Sequence, residues 1–388
     1  MKIQRLGDLK TALGECPVWH GQQLWLLDCR LGLILALDPG SGEITARHEA
    51  PAPLGSFAFN GDRGDSIVLA LKEEVASLDL RTGQRRTLAR LDDSHPHLRL
   101  NDGTALADGS FVVGSMHVFR EADEPPLGGF YRLDTNLEFR KLDTGFGITN
   151  GPCVNPVNGR LHVADSAARV IYSYAYGADG SLADKQVFAR TDAYDTGPDG
   201  CTFDSEGGLW TALVRAGALA RFDMQGHLTH KIELPLAHPS ALCFGGPDMS
   251  DLFVTSISDS GRLSASGPLD GAVLKVTGLG FRGHARPVCR IPPEPLTRLP
   301  PKGDTPNGLA KPAPRVPRVA CSAAFWAFCS IFRVGKTPGD LAAPRPFGFL
   351  RPRAVDECLR LCRGPRSVAR ARPRGQPRNP GTGGSWLE

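Results

Sequence analysis

The first 290 or so residues contain no stretch with a strong helical period, which argues against helical bundles and alternating strand–helix folds for that region. No GxSxG elbow is present, and the His residues stand in no order with Ser and Asp that resembles a hydrolase triad, so a serine nucleophile has no motif. GxxxxGK[ST] and GxGxxG before a helix are both missing, which removes the sites that nucleotide-dependent chemistry needs. The N-terminus, MKIQRLGDLK, lacks the apolar core of a secretory signal. An apolar island near the C-terminus, VACSAAFWAFCSIF, is shorter than a bilayer requires and has Arg on both sides, so a docking strip is expected there rather than a span. The ten Cys form no disulfide framework. Cys16, Cys29, Cys153, Cys201 and Cys243 fall in or beside expected strands as small buried hydrophobes, while Cys358 and Cys362 have no second pair or His cluster to complete a metal site. A reduced, cytoplasmic protein without a membrane segment is the expectation.

What the chain does contain is a repeat. Six times, a turn rich in Gly, Pro, Asn or Asp leads into an apolar strand and offers one polar residue at a comparable point. The six are Glu15 in LGECPVW, Ser56 in LGSFAF, Asn101 in RLNDGTAL, Asn150 in ITNGPCV, Asp199 in GPDGCTF and Ser240 in HPSALCF. Their spacing of roughly 40 to 50 residues is that of one four-stranded propeller blade. The segments between them, such as QLWLLDCRLGLILALDPGSGEI and GLWTALVRAGALARFDMQGHL, alternate apolar and polar residues and are punctuated by Asp-Pro-Gly, Arg-Thr-Gly and Ala-Asp-Gly turns. An all-β, six-bladed β-propeller over residues 1–291 is expected, with the segment near Lys2 to Leu6 supplying an edge strand that closes the ring. In such a ring the innermost strands start near the axis, so the repeated polar residues converge on one axial cavity.

Residues 292–388 have a different character. They hold roughly half of the chain's 32 Pro, and their 17 Lys and Arg stand against 6 Asp and Glu, so the formal total of +4 conceals a body near −7. Pro and Arg without periodicity cannot bury a core, and a solvated, disordered extension is expected. A second reading also stands: this Arg, Pro, Ala and Gly bias is what GC-rich DNA yields outside a natural frame. The acidic propeller itself is expected to bind no nucleic acid, and to be a monomer or weak homo-oligomer.

LGECPVW, RLNDGTAL, ITNGPCVN, VADS, GPDGCTFDSEGGLWTAL and HPSALCFGGPDMSDLFVTS, in this order from about residue 10 to 290, resemble the motifs of the SMP-30/gluconolactonase/regucalcin-like family. The resemblance implies one divalent metal on the propeller axis, held by Glu15, Asn150 and Asp199. It further implies that Arg99 and Asn101 contact substrate hydroxyls and a water on the metal. His117 lies where the family often places a substrate-recognising residue, although GSMHVF departs from the family's pattern there. Members of the family hydrolyse sugar-acid lactones, which a metal assists by polarising the carbonyl and acidifying a water. Asp199 is the expected general base, with a metal-bound hydroxide as the alternative.

The donor chemistry agrees independently. Two carboxylates and an amide oxygen form a hard site suited to Ca²⁺, Mg²⁺ or Mn²⁺ and, with less preference, Zn²⁺ or Fe²⁺. Asn101, Asn150 and Asp199 are each followed closely by Gly, and any one alone is explained by turn chemistry. Glu15 is not, because Glu is a poor turn former and an axial carboxylate needs a neutralising partner. Ser56 and Ser240 are expected to line the cavity, and Asp102 to serve the turn. The expected function is metal-dependent hydrolysis of a sugar-acid lactone. The alternatives are a regucalcin-type calcium-binding regulator and a phosphotriester hydrolase on the same propeller.

Overall fold

The computed structural model describes residues 1–292 apart from 92–94 and 122, so expectations about the tail, including Cys358 and Cys362, lie outside the described residues. Among those described, twenty-four strands form six four-stranded antiparallel sheets arranged as the blades of a propeller. Blade 1 is Gly14–His20, Gln23–Asp28, Leu33–Leu37 and Ile44–Glu49 from the axis outward. The innermost strands of blades 2 to 5 are Ser56–Phe59, Leu98–Ala105, Thr149–Val154 and Pro198–Phe203. Blade 6 runs Pro239–Gly245, Asp251–Ser256 and Ala272–Thr277, and its fourth place is taken by Lys2–Lys10 from the other end of the chain. The N-terminal closure expected from sequence is therefore present, and it is longer than Lys2 to Leu6. Pairing the first strand with the last covers the outer edge of Ala272–Thr277 and ties the two ends of the described chain into one blade.

The burial pattern explains why the strands read as they do. Inner strands are covered on both faces by neighbouring blades. In Gln23–Asp28, Leu24 and Leu26 pack with Phe253 and Val273 of blade 6, whereas Trp25 and Leu27 pack with Phe57 and Phe59 of blade 2. Such strands read as near-continuous apolar runs. The alternation expected throughout is lost in such strands and survives in Ile44–Glu49, an outermost strand whose second face meets water. Each of the six blade-to-blade seams carries one apolar cluster, with Cys16, Cys29, Cys201 and Cys243 buried among them as expected, whereas Cys153 is only half-buried against the seam of blades 4 and 5.

After the last strand, the chain crosses the end of the propeller formed by the turns between first and second strands. Arg282 O accepts from Ser205 N–H at 2.7 Å, Gly283 N–H donates to Met249 O at 2.8 Å, and Cys289 N–H donates to Phe59 O at 2.7 Å. Ile291 ends this strap, buried, with its N–H donating to Asn60 Oδ1 and its carbonyl accepting from Asn60 Nδ2, both at 2.8 Å. No helix among the described residues is long and apolar enough to cross a membrane.

Candidate active site on the propeller axis

Glu15, Arg99, Asn101, Asn150 and Asp199 line one cavity of about 500 Å³, at the end of the axis opposite the strap. They do not occupy turns that precede the strands. All five lie within the innermost strands, and the four polar residues of the repeat among them sit at or inside a break in register with the second strand. The break falls between Glu15 and Val18, Leu100 and Gly103, Asn150 and Cys153, and Pro198 and Cys201. Blade 6 has the same break between Pro239 and Leu242; blade 2 has none. A bulge bends the strand and re-aims a side chain, and in blades 1, 3, 4 and 5 it accompanies one residue that lines the axial cavity. NDG, NG and PDG resemble turn motifs because the bulge needs the same residues, and because the strands crowd at the axis. A Cβ on Gly151, whose φ is 52°, would lie 2.4 Å from Cys201 N.

The side-chain network fixes which atoms face a ligand. Ser166 Oγ donates its proton to Pro198 O at 2.6 Å, so toward Asn150 it can only accept, and the amide group 2.8 Å away is Nδ2. Asn150 Oδ1 is thereby turned to Asn101, whose Nδ2 donates to it and to Thr149 O, both at 2.8 Å. With both amide hydrogens of Asn101 committed, its Oδ1 is what a ligand meets. The axis therefore presents acceptor oxygens from Glu15, Asn101, Asn150 and Asp199, with Arg99 as the donor beside them. Burial raises the Glu15 pKa well above the usual carboxylate range, and the charges of Asp199 and then Asp102 raise it further. Asp199 is raised by burial and by Asp102. Two carboxylates, Asp199 buried and Glu15 half-buried, held together among amide oxygens fit a divalent cation, which removes the repulsion and satisfies the oxygens.

The remaining expected residues fall elsewhere. His117 is not among the cavity-lining residues; Met116 and Val118 on either side of it are, because successive side chains of a strand point to opposite faces. Ser56 and Ser240 are fully buried blade-to-blade ties rather than lining: Ser56 Oγ donates to Asn101 O at 2.9 Å, and Ser240 Oγ donates to Gly14 O. Asp102 likewise links two strands, accepting from Gly103 and Gly151 N–H at 2.8 Å. Arg99 Nη1 donates to Leu100 O at 3.0 Å. The loop after Met116 supplies Val118 and Phe119 to the cavity wall, while Arg30, Arg169, Arg215 and Arg262 bring positive charge to it from other blades.

Two residues that position the site went unassigned in the sequence. Asp165 accepts from Gly147, Ile148, Ala167 and Ala168 N–H at 2.9–3.3 Å and so shapes the loop that delivers Asn150. Asp28 accepts from Ala12, Leu13 and Leu31 N–H at 2.8–3.3 Å and does the same ahead of Glu15. Their common signal is an Asp closing the second strand, in LLD and VAD.

Residues 13–258 match the family model described as the SMP-30/Gluconolactonase/LRE-like region. The chain belongs to this family. Among members of the SMP-30/gluconolactonase family, the pentonolactonase XacC of Haloferax volcanii is 30% identical over 268 residues, covering 68% of this chain and 88% of that one. The 6-deoxy-6-sulfogluconolactonase of Pseudomonas putida is 30% identical over 284 residues, covering 72% and 95%. A solved structure described as a calcium-binding protein, regucalcin, from Agrobacterium tumefaciens superposes with a TM-score of 0.66 at 25% identity, covering 74% of this chain and 97% of that one.

Proposed function

We propose that the propeller, residues 1–291, is a metal-dependent lactonase that opens a sugar-acid (aldono)lactone to the free acid. The observation that carries this reading is the axial set of four acceptor oxygens, two of them from the repelling carboxylates of Glu15 and Asp199, at the base of a cavity large enough for a small sugar. The names of the lactonase relatives supply the substrate class. Glu15, Asn150 and Asp199 would hold one divalent cation, Ca²⁺, Mg²⁺, Mn²⁺, Zn²⁺ or Fe²⁺. Such a cation would polarise the lactone carbonyl and acidify the attacking water. Asn101 Oδ1 accepts from a sugar hydroxyl, and Arg99 donates to one. Asp199, whose pKa burial raises, takes the proton from water and returns it to the ring oxygen as the ester bond breaks. Met116 and Val118 line an apolar part of the wall, and electrostatic stabilisation of the reacting carbonyl is worth more beside such a wall than in bulk water. His117 has no direct contact with substrate in this reading.

A second reading is a calcium-binding regulator, favoured by the same oxygen set and by the description of the Agrobacterium structure. One experiment separates the two. Chelator-stripped protein is supplied with each of the five cations and assayed for acid release from five- and six-carbon aldonolactones, with Asp199→Asn and Glu15→Gln as controls. Metal-restored turnover lost in both variants is expected. Calcium binding without turnover of any lactone would replace the enzyme by the regulator.

A further inference from the structure

On the far face of the strand that walls the cavity, His117 meets two side chains from loops of the same blade. His117 closes the second strand of blade 3, Phe111–His117, and its side chain is fully shielded from solvent. Neither of its ring nitrogens has a hydrogen-bond partner. Burying an imidazole with both nitrogens unsatisfied is costly, and a site that retains one signals a missing partner. Glu124 Oε2 lies 3.6 Å from His117 Nε2, too far for a hydrogen bond, and Glu124 Oε1 lies 3.9 Å from His95 Nε2. The His95 and His117 rings are 5.0 Å apart and nearly perpendicular.

We infer that His95, His117 and Glu124 form a second metal site, distinct from the axial one, for a borderline transition-metal dication such as Zn²⁺, Fe²⁺ or Co²⁺. One ligand atom from each residue lies within 4.8 Å of the others. Around an ion with bonds of about 2.0–2.1 Å, tetrahedral ligand atoms stand about 3.4 Å apart. The His117–Glu124 edge is already near that value, and side-chain rotation of His95 shortens the rest. Two imidazoles and one carboxylate select against Ca²⁺ and Mg²⁺, which take oxygen ligands, and leave coordination positions open. His95 Nδ1 accepts a long 3.3 Å bond from His97 N–H, which ligation through Nε2 exchanges for a protonated Nδ1. An ion here would clip the loop carrying His95 to the loop carrying Glu124. The second of these begins with Val118 and Phe119, so the clip stiffens the wall of the axial cavity from behind.

The test uses the full chain, stripped of metal and kept reduced, with bound Zn²⁺ and Ca²⁺ counted at equilibrium. Glu124→Gln and His95→Gln are each expected to bind one Zn²⁺ equivalent fewer than the unsubstituted protein, or to bind it at least about tenfold more weakly. Their Ca²⁺ binding should be unaltered. Asp199→Asn should keep that Zn²⁺ equivalent, which separates this site from the axial one. In the unsubstituted protein, one equivalent of Co²⁺ added after Ca²⁺ should broaden the NMR ring signals of His95 and His117 before those of other histidines. Equal Zn²⁺ binding in both variants, or Co²⁺ broadening that spares His95 and His117, would overturn the site.

Discussion

Asn101 Nδ2 donates to Asn150 Oδ1 at 2.8 Å across the seam between blades 3 and 4, so two neighbouring blades fix each other's ligand oxygens. The orientation of Asn150 depends in turn on Ser166, which holds its Nδ2 and donates to Pro198 O of blade 5. Three blades are thus joined by one chain of side-chain hydrogen bonds that ends at the candidate cation.

Removing the middle of that chain tests its purpose. Ser166→Ala leaves the amide of Asn150 free to rotate and present nitrogen to the axis. Outer-shell partners of this kind typically affect metal affinity by about 10- to 100-fold. Calcium titration of Ser166→Ala is expected to show at least a tenfold weaker axial site with Tm little altered, and unchanged affinity would mean that Ser166 does not orient Asn150.

The axial carboxylates set a pH dependence. In the unfolded chain, Glu15 and Asp199 titrate near their ordinary values of about 4. In the metal-free folded state burial raises both, the charges of Asp199 and Asp102 raise Glu15 further and that of Asp102 raises Asp199, so the folded state binds more protons from about pH 4 upward until it too deprotonates. Stability of the metal-free protein attributable to this pair therefore falls as pH rises through that window. Scanning calorimetry of stripped protein and stripped Asp199→Asn should show the variant melting higher at pH 8, by about 2–4 °C for each kcal/mol relieved, with the gap closing toward pH 5. Excess cation should raise the Tm of the unsubstituted protein and leave that of the variant nearly unchanged. A variant that melts lower at pH 8 without metal would show that the pair is not under strain.

Much of this was legible in the sequence because a propeller repeats its chemistry. The six turns give the blade period, and the period alone brings Glu15, Asn101, Asn150 and Asp199 to one axis. Side-chain direction was not legible. His117 is one residue from Met116 and one from Val118, and strand parity alone decides that those two line the cavity while His117 turns away. Ser56 and Ser240 occupy the same repeat position as the acceptors, yet their short hydroxyls reach the backbone of the next blade before they reach the axis. Asp28 and Asp165 act through backbone N–H groups, for which the sequence carries no pattern beyond an Asp at the end of a strand.

Gly151 shows where the axis tolerates nothing larger. Its positive φ and the 2.4 Å from a built Cβ to Cys201 N both oppose a side chain, and the clash is with backbone of blade 5. Gly151→Ala is expected to cost about 2–4 kcal/mol from strain and overpacking together. Because relief would push Asn150 off the axis, calcium affinity should fall as well. Denaturant unfolding and calcium titration of the one variant check both, and a loss of less than about 1 kcal/mol would show that the seam can open.

The strap gives a boundary that can be cut. A chain ending at Pro292 keeps Phe281 against Trp210, Cys289 in the seam between blades 2 and 3, and the paired hydrogen bonds of Ile291 to Asn60. It should melt within about 2 °C of the full chain and keep its metal affinity, since the apolar contacts among the described residues remain. A chain ending at Gly278 exposes all three seats. At about 1.5–3 kcal/mol for each large apolar side chain removed from a buried site, the loss approaches the whole stability of an ordinary domain. That shorter chain is expected to melt far lower or to be recovered unfolded, although every one of the twenty-four strands is intact. If the two truncations melted alike, the strap would contribute nothing and closure by Lys2–Lys10 alone would hold the ring.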